Sequence, residues 1–595
     1  MPWSLGFPSP AVVILAMGVL PMAIQPALAD QSATVRAIAD THAGSTLTDG
    51  KAVGIGVGIV IGDRTYFFSY GNAIAATDTS RAVRFTPATV FQIGSNTKVF
   101  TTNLLDQAVH DHILRLDDAL TSLSAETGLL PGMRQVTLKQ FGDFTSGLPN
   151  YAPICVAPAT PQGSGCRPNG RPSIQQYDAG DFLTYFRNFT APSLPAGYDY
   201  SDFSTGLLGL LLGGTSALDN HAVDAWFSSV EQRILDPLGM HSTFLYVPAG
   251  ARGRVAGGYD LALAEATVSG GELSDYTMVS TGALYTMAPT VRVIGGPGGA
   301  TATAELDGQH VKSLNPGAKG SGYQPPNVTF DPPSALSGQQ PIGRVVVRNG
   351  RIIGVKMLKF GSLYTAPPKV TFSSPEHGRP AIGIAHVALG SVTFVTIKDP
   401  GSGYQTPISV QIGAPNPASN TIPVWAPAGA LSSTIRDMTA FAQAALLHRS
   451  IGGRPVDPAI TDGFRIAETP YACQAKDPDL RRCGPDQTRS ALAWGVTPAD
   501  DKNNVPQIVV KDGGVGGFSS EIRLMPERDM AVVVFANARE IVDTSSADGT
   551  PTRTAENIAD NILYALFYLR ADEAPQRAGL TAARTFASEP APAHP

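Results

Sequence analysis

Phe91-Gln92-Ile93-Gly94-Ser95-Asn96-Thr97-Lys98-Val99-Phe100 holds the only S-x-x-K in the 595-residue chain. Apolar residues continue at helical spacing through Val99, Leu104, Leu105 and Ala108, so the pattern predicts a helix opening at Ser95. A spacing of i to i+3 sets Ser95 and Lys98 one turn apart on one face. A serine at a helix N-terminus lies where free backbone N–H groups favour a developing oxyanion. A desolvated lysine one turn away can hold or remove its hydroxyl proton. That is the layout of an activated nucleophile. The alternative is that Ser95 caps the helix and Lys98 is a surface charge. The motif alone does not separate the two; the rest of the chain does.

Working toward the N-terminus, Val53 to Ile61 and Thr65 to Tyr70 read as two strands of a hairpin turning at Asp63. A helix is expected over residues 31 to 48. Residues 1 to 29 read as an export signal, with an apolar run and an Ala27-Leu28-Ala29 cleavage site. No Lys or Arg precedes the run. Pro21 and the short length argue against an uncleaved membrane anchor. The cysteines pair locally, Cys155 with Cys166 and Cys473 with Cys483, which in an exported chain predicts two disulfides. Zinc is a poor alternative because no C-x-x-C and no adjacent histidine occur.

Toward the C-terminus, Val136 to Lys139 opens a helix that ends at Thr145-Ser146-Gly147-Leu148-Pro149. A long Pro/Gly-rich loop with the first cysteine pair follows. Then comes Tyr198-Asp199-Tyr200-Ser201-Asp202, running into the apolar helix Leu207 to Leu212. From about Gly282 to Pro415 a repeat of about 40 residues appears, with Gly-Ser-x-Tyr-x-x-Pro ahead of alternating Val and Thr. Its tyrosines are Tyr285, Tyr323, Tyr364 and Tyr404, and Asn349-Gly350 is a hairpin turn. This module holds no cluster of catalytic residue types. A capped helix resumes after Ala428-Gly429-Ala430-Leu431-Ser432-Ser433-Thr434. The strand Ile508-Val509-Val510 leads into Lys511-Asp512-Gly513-Gly514. A last strand pair and an amphipathic helix over 554 to 570 precede an Ala/Pro-rich tail. The expected division is 1–29 signal, 30–267 and 423–570 two parts of one catalytic domain, 268–422 an all-β repeat module between them, and 571–595 a disordered tail.

A net charge of -6 without a basic block argues against nucleic acid as a partner. The chain lacks G-x-S-x-G, so an α/β-hydrolase triad is not expected. His110 and His112 lack an H-E-x-x-H context, and no metal or cofactor is expected.

Ser95-x-x-Lys98, Tyr200-Ser201-Asp202 and Lys511-Asp512-Gly513 stand in that order. With the flanks Phe91–Gly94, Thr145–Pro149, Gly429–Thr434 and Gly516-Gly517-Phe518-Ser519-Ser520, they resemble the serine β-lactamase and penicillin-binding protein superfamily. The branch they resemble most is the class C β-lactamases and their periplasmic DD-carboxypeptidase/endopeptidase relatives. The resemblance spans roughly residues 35 to 266 and 423 to 570. It implies an α+β fold of β-lactamase/transpeptidase type, an antiparallel sheet flanked by helices, with the all-β module inserted. It also implies that Ser95 forms an acyl-enzyme, Lys98 assists its deprotonation and Tyr200 is the general base. Lys98 and Lys511 would then be the cations that bring a phenol toward neutrality. The N–H groups of Ser95 and Gly514 would form the oxyanion hole, with Gly513 and Gly514 letting substrate approach that strand. Tyr70-Gly71-Asn72 matches Y-x-N literally, but it precedes Ser95 and ends a strand, so Tyr200 is preferred.

Two positions depart from the family pattern. Asp202 stands where Asn is usual and cannot donate a hydrogen bond, though it can hold Lys98 by charge. Asp512 stands where Thr or Ser is usual, removing a hydroxyl that could contact a substrate carboxylate. The resemblance implies an exported or periplasmic serine hydrolase acting on β-lactams or acyl-D-Ala-D-Ala peptides. The alternatives are an esterase on the same machinery, and a non-enzymatic protein that binds cell wall or a surface partner through the repeat. Retention of all three elements argues against the last.

Overall fold

The structure, a computed structural model, describes residues 24–76, 81–120, 135–150, 193–213, 220–259, strand segments within 261–412, 425–538 and 554–571. Residues 1–23, Cys155, Cys166, the four repeat tyrosines, Asn349-Gly350 and the tail beyond Ala571 lie outside the described residues.

Nine strands form one antiparallel sheet. They are β1 (Gly54–Ile61), β2 (Arg64–Ile74), β3 (Val83–Arg84), β4 (Ala472–Cys473), β5 (Arg489–Ser490), β6 (Gly495–Thr497), β7 (Ile508–Val515), β8 (Phe518–Met525) and β9 (Met530–Ala536). Their spatial order is β4-β5-β6-β7-β8-β9-β1-β2-β3. The first hairpin of the chain thus pairs with its last strand, Val57 opposite Val534. Alternation along β1 sorts its side chains between the two faces. Ile55, Val57, Ile59 and Ile61 bury against α1 (Ile24–Thr48) and the C-terminal helix, whose Ile558 and Ile562 lie in the same core.

The opposite face carries the larger core and four helices that matter for the site: α2 (Lys98–His110), α3 (Leu138–Gly142), α4 (Asp202–Leu212) and α5 (Ile435–Ala445). Phe91 stacks on Phe535 at 4.6 Å and meets Phe518 edge-on at 4.8 Å, which seats the segment before Ser95 on the sheet. The expected helix at Ser95 begins differently. Gly94–Thr97 form a 3-10 turn, and the α-helix starts at Lys98. Gly94 has φ +51°, a left-handed conformation that glycine takes without strain.

The repeat forms hairpins at Ala262–Ser269/Glu272–Thr281, Ala300–Asp307/His310–Lys319, Ile342–Arg348/Arg351–Lys359 and Ile382–Ala388/Ser391–Asp399. Each carries two register irregularities at matching positions. Short strands follow each hairpin. Val291–Ile294 pairs antiparallel with Asn327–Phe330, and Val370–Phe372 with Val410–Ile412. Equivalent strands of neighbouring repeats therefore pair with each other, so two repeats make one structural unit. Among the described side chains of the module, Leu314 is buried against Tyr276, Met278 and Leu306.

Candidate active site

Three chain segments converge on Lys98. Its side chain is fully buried at the start of α2. Nζ donates to Ser95 Oγ at 3.1 Å, to Asp202 Oδ1 at 2.5 Å and to the Ala428 carbonyl at 2.8 Å. An ammonium has three N–H donors, so all are committed. Asp202 opens α4. Its neighbour Ser201 is the cap, accepting from Ser204 N at 2.9 Å, which turns the Asp202 side chain toward α2. The charge interaction allowed for Asp202 by its carboxylate is the one it makes.

Tyr200 lies between two lysines. Lys98 Nζ sits 4.8 Å and Lys511 Nζ 5.3 Å from its ring centroid. Phe144 packs on the same ring at 4.8 Å. The segment is pinned by Asp199 N donating to Phe144 O at 3.0 Å, Ser201 Oγ to Pro149 O at 2.8 Å and Asp202 N to Asn150 Oδ1 at 3.2 Å. The Thr145–Pro149 turn is thus the brace of the Tyr200 segment. Tyr198 N donates to Ala475 O at 2.8 Å, tying it to the loop closed by the Cys473–Cys483 disulfide. Tyr70, the literal Y-x-N tyrosine, instead donates to Asp40 of α1 at 2.8 Å, on the other face of the sheet.

The two cations do not bring Tyr200 toward neutrality. Burial pushes its hydroxyl well above the ordinary phenol range. Lys511 pulls it down, but Asp202 and Asp512 push it up again, and the neighbouring Ser95 hydroxyl contributes only a small lowering. Tyr200 Oη makes no formed hydrogen bond among the described residues. Tyr200 is therefore a neutral phenol in the free site. Each lysine is compensated by a carboxylate, since Lys511 Nζ donates to Asp512 Oδ1 at 2.8 Å and to its carbonyl at 2.7 Å.

Gly513 has a second function besides the expected one. A Cβ there would lie 2.2 Å from Ile93 O, 2.5 Å from Ser520 Oγ and 2.9 Å from Asn96 Nδ2. A Cβ on Gly94 would lie 2.8 Å from Gly514 N. The two glycine positions let the Ser95 turn press directly on β7. Ser520 Oγ then donates to Ile93 O at 2.9 Å and accepts from Asn96 Nδ2 at 2.7 Å, closing the contact. Gly513→Ala is expected to lower kcat by at least about 10²-fold, since a displacement near 1 Å costs that much. It is also expected to reduce stability by about 1–3 kcal/mol through overpacking. Steady-state kinetics and urea unfolding of the same protein check both.

Sequence reading missed the Ala428 carbonyl and the Asn96–Ser520 pair, although both lie in quoted flanks; contacts between distant segments leave no local pattern. It also missed Arg523. That side chain meets Glu556 Oε1 at 3.0 Å, Asp560 Oδ1 at 2.7 Å and Glu521 Oε1 at 3.3 Å. Glu521 and Arg523 are charges inside a strand whose residues are all buried; the charged pair itself is visible in the sequence. A cavity of about 440 Å³ runs from Tyr200, Tyr198, Trp494 and Lys511 to Asp512 and this carboxylate group.

The described geometry brings a serine hydroxyl, a buried ammonium, a phenol and a glycine-edged strand together at one place. The chain belongs to the beta-lactamase family, a family of serine hydrolases: the family model described as "Beta-lactamase" matches residues 33–340 and 370–550. Its fold is that of the β-lactamase/transpeptidase type, with additional small sheets. A "Beta-lactamase" of Pseudomonas fluorescens is 25% identical over 246 residues, 40% of this chain and 59% of that protein. One of Escherichia coli (strain K12) is 24% identical over 211 residues, 35% of this chain and 48% of that protein. The chain thus matches about half the length of these relatives. A class C beta lactamase from Rhodobacter sphaeroides aligns at 16% identity and TM-score 0.47, covering 89% of this chain and 99% of that one. A beta-lactamase/D-alanine carboxypeptidase from Pseudomonas syringae aligns at 14% identity and TM-score 0.47, covering 89% and 98%.

Proposed function

We propose that this protein is an exported serine hydrolase that cleaves carboxylic acid derivatives through an acyl-enzyme on Ser95. The observation that carries the reading is the Lys98 ammonium, fully buried and donating to Ser95 Oγ at 3.1 Å. Ser95 Oγ attacks the acyl carbon. Tyr200 takes its proton and, being a neutral phenol, releases its own to the leaving group. The bond to the leaving group breaks as the Ser95 ester forms. Water then attacks the ester, with Tyr200 relaying a proton from the water to Ser95 Oγ. Lys98 stabilises the developing alkoxide, and the N–H groups of Ser95 and Gly514 receive the oxyanion.

The family-implied acyl donors are β-lactams and acyl-D-Ala-D-Ala peptides. The second reading, an esterase on the same machinery, is favoured by the pairing of Lys511 with Asp512. Export rests on the Ala27-Leu28-Ala29 site and the cysteine pairing. The strand module of residues 268–422 falls between Tyr200 and Lys511 in sequence. It is assigned to screening the site or docking on a large substrate or cell surface.

The test is covalent labelling. Incubation with a labelled penicillin and with an activated acyl ester should add one acyl mass to the protein, mapping to Ser95. Ser95→Ala should abolish that mass. A label that persists in Ser95→Ala removes the nucleophile assignment.

A further inference from the structure

The site carries its charges in compensated pairs, and this bears on which substrates it takes. Lys98 is held by Asp202, and Lys511 by Asp512. The remaining cation that lines the cavity, Arg523, is shared by Glu556 and Asp560 and touches Glu521. Burial pushes Glu521 well above the carboxylate range, against the pull of Arg523, and Glu521 does not line the cavity. Among the described residues lining the cavity, the formal charges are two cations, Lys511 and Arg523, and three carboxylates, Asp512, Glu556 and Asp560. No cation there is left to receive an anionic group without first giving up a carboxylate partner.

A substrate carboxylate approaching Lys511 meets Asp512, whose carboxylate already holds the ammonium at 2.8 Å and whose side chain is 44% exposed. The like charges repel, and displacing Asp512 from Lys511 costs the existing ion pair. A neutral ester or blocked amide meets neither obstacle. It can accept from Lys511 while Asp512 remains in place.

We infer that Asp512, together with Asp202, sets the charge balance of this site and selects acyl donors whose group facing Lys511 is uncharged, discriminating against carboxylate-bearing ones. This rests on the reading of Ser95 as the acylated nucleophile. Asp512 is in these terms a specificity-determining residue, and Asp202 a positioning residue acting through Lys98.

Two esters that differ by one charge test it: 3-acetoxybenzoate and its methyl ester, with each rate divided by its hydroxide-catalysed rate. In the unmodified protein the methyl ester should be favoured in kcat/KM by about tenfold or more, the scale of one unit charge acting across roughly 10 Å of a partly buried site. The difference should sit mainly in KM and shrink as salt rises from about 0.05 to 0.5 M. In Asp512→Thr the ratio should fall about tenfold toward the carboxylate, whereas Asp512→Glu should keep the preference. Asp202→Asn should shift the pH profile of acylation, because it changes what holds Lys98. Equal rates on the two esters, a preference for the carboxylate, or a ratio unmoved in Asp512→Thr overturns the selectivity. The unmodified protein and its salt dependence give the answer even if a variant fails to fold. If neither ester acylates Ser95 by mass, the hydrolase reading falls and the selectivity with it.

Discussion

Lys98→Met should lose acylation by on the order of 10³-fold, within the range carried by a positioned proton-handling group. The same change should also destabilise the fold, which separates Lys98 from an ordinary catalytic lysine. Its ammonium is fully buried and spends all three N–H donors on Ser95, Asp202 and the Ala428 carbonyl. Removing it strands a carboxylate that is only 14% exposed. Breaking one partner of such a pair costs about 3 kcal/mol. The double variant Lys98→Met/Asp202→Asn should recover more than half of that loss, because no charge is then left uncompensated, while acylation stays absent. Single-turnover acylation read by mass and urea unfolding of the three proteins check this. A Lys98→Met protein of unmodified stability would mean that Asp202 finds water through its exposed edge.

The sequence exposed those parts of the site that depend on local spacing. Ser95 and Lys98 face each other because i and i+3 lie one turn apart, and that holds in a 3-10 turn leading into an α-helix as well as in a straight helix. The β1 alternation and the apolar stretches of α2 and α4 report burial through periodicity, so the sheet and its helices were legible. Tyr200 was chosen through family order rather than spacing, and Tyr70 was set aside because it precedes Ser95 and ends a strand; in the structure its hydroxyl donates to Asp40 instead. The proton affinity of Tyr200 was not legible. It depends on Phe144, on burial and on two carboxylates brought from other segments. The packing role of Gly513 was not legible for the same reason. Its missing Cβ faces the Ser95 turn, and only the packed structure shows what stands there. In the repeat, the period of about 40 residues was visible, but the pairing of equivalent strands between neighbouring repeats was not, because strand pairing is tertiary.

Asp106→Asn should make the protein more stable at neutral pH and leave it unchanged at acid pH. Asp106 lies two turns beyond Lys98 in α2, fully buried, and neither carboxyl oxygen has a hydrogen-bond partner among the described residues. It packs where the helix Pro458–Ala467 crosses α2, with Gly463 against its Cβ. Burial, then the charge of Glu468 at the end of that helix, pushes Asp106 well above the carboxylate range. Burial pushes Glu468 up as well. Tyr471 and Asp143 also face this region, and burial raises Asp143 to about 6 despite its bonds from Thr145. A carboxyl raised in the folded state binds its proton more tightly there than in the unfolded chain. Stability from Asp106 is therefore full below the unfolded carboxylate value of about 4 and is lost as pH rises from there toward the raised folded value. One such proton gives a slope of up to about 1.4 kcal/mol per pH unit. Asn cannot titrate, so the variant should lose that slope, together with the part that arises from the mutual repulsion of Asp106 and Glu468. Urea unfolding from about pH 4.5 to 8.5 should give curves that meet at the acid end and diverge toward neutrality, with the variant above. Parallel curves would mean that Asp106 gains and loses its proton alike in the folded and unfolded chain, and that the helix behind Ser95 is not held by a buried carboxylic acid.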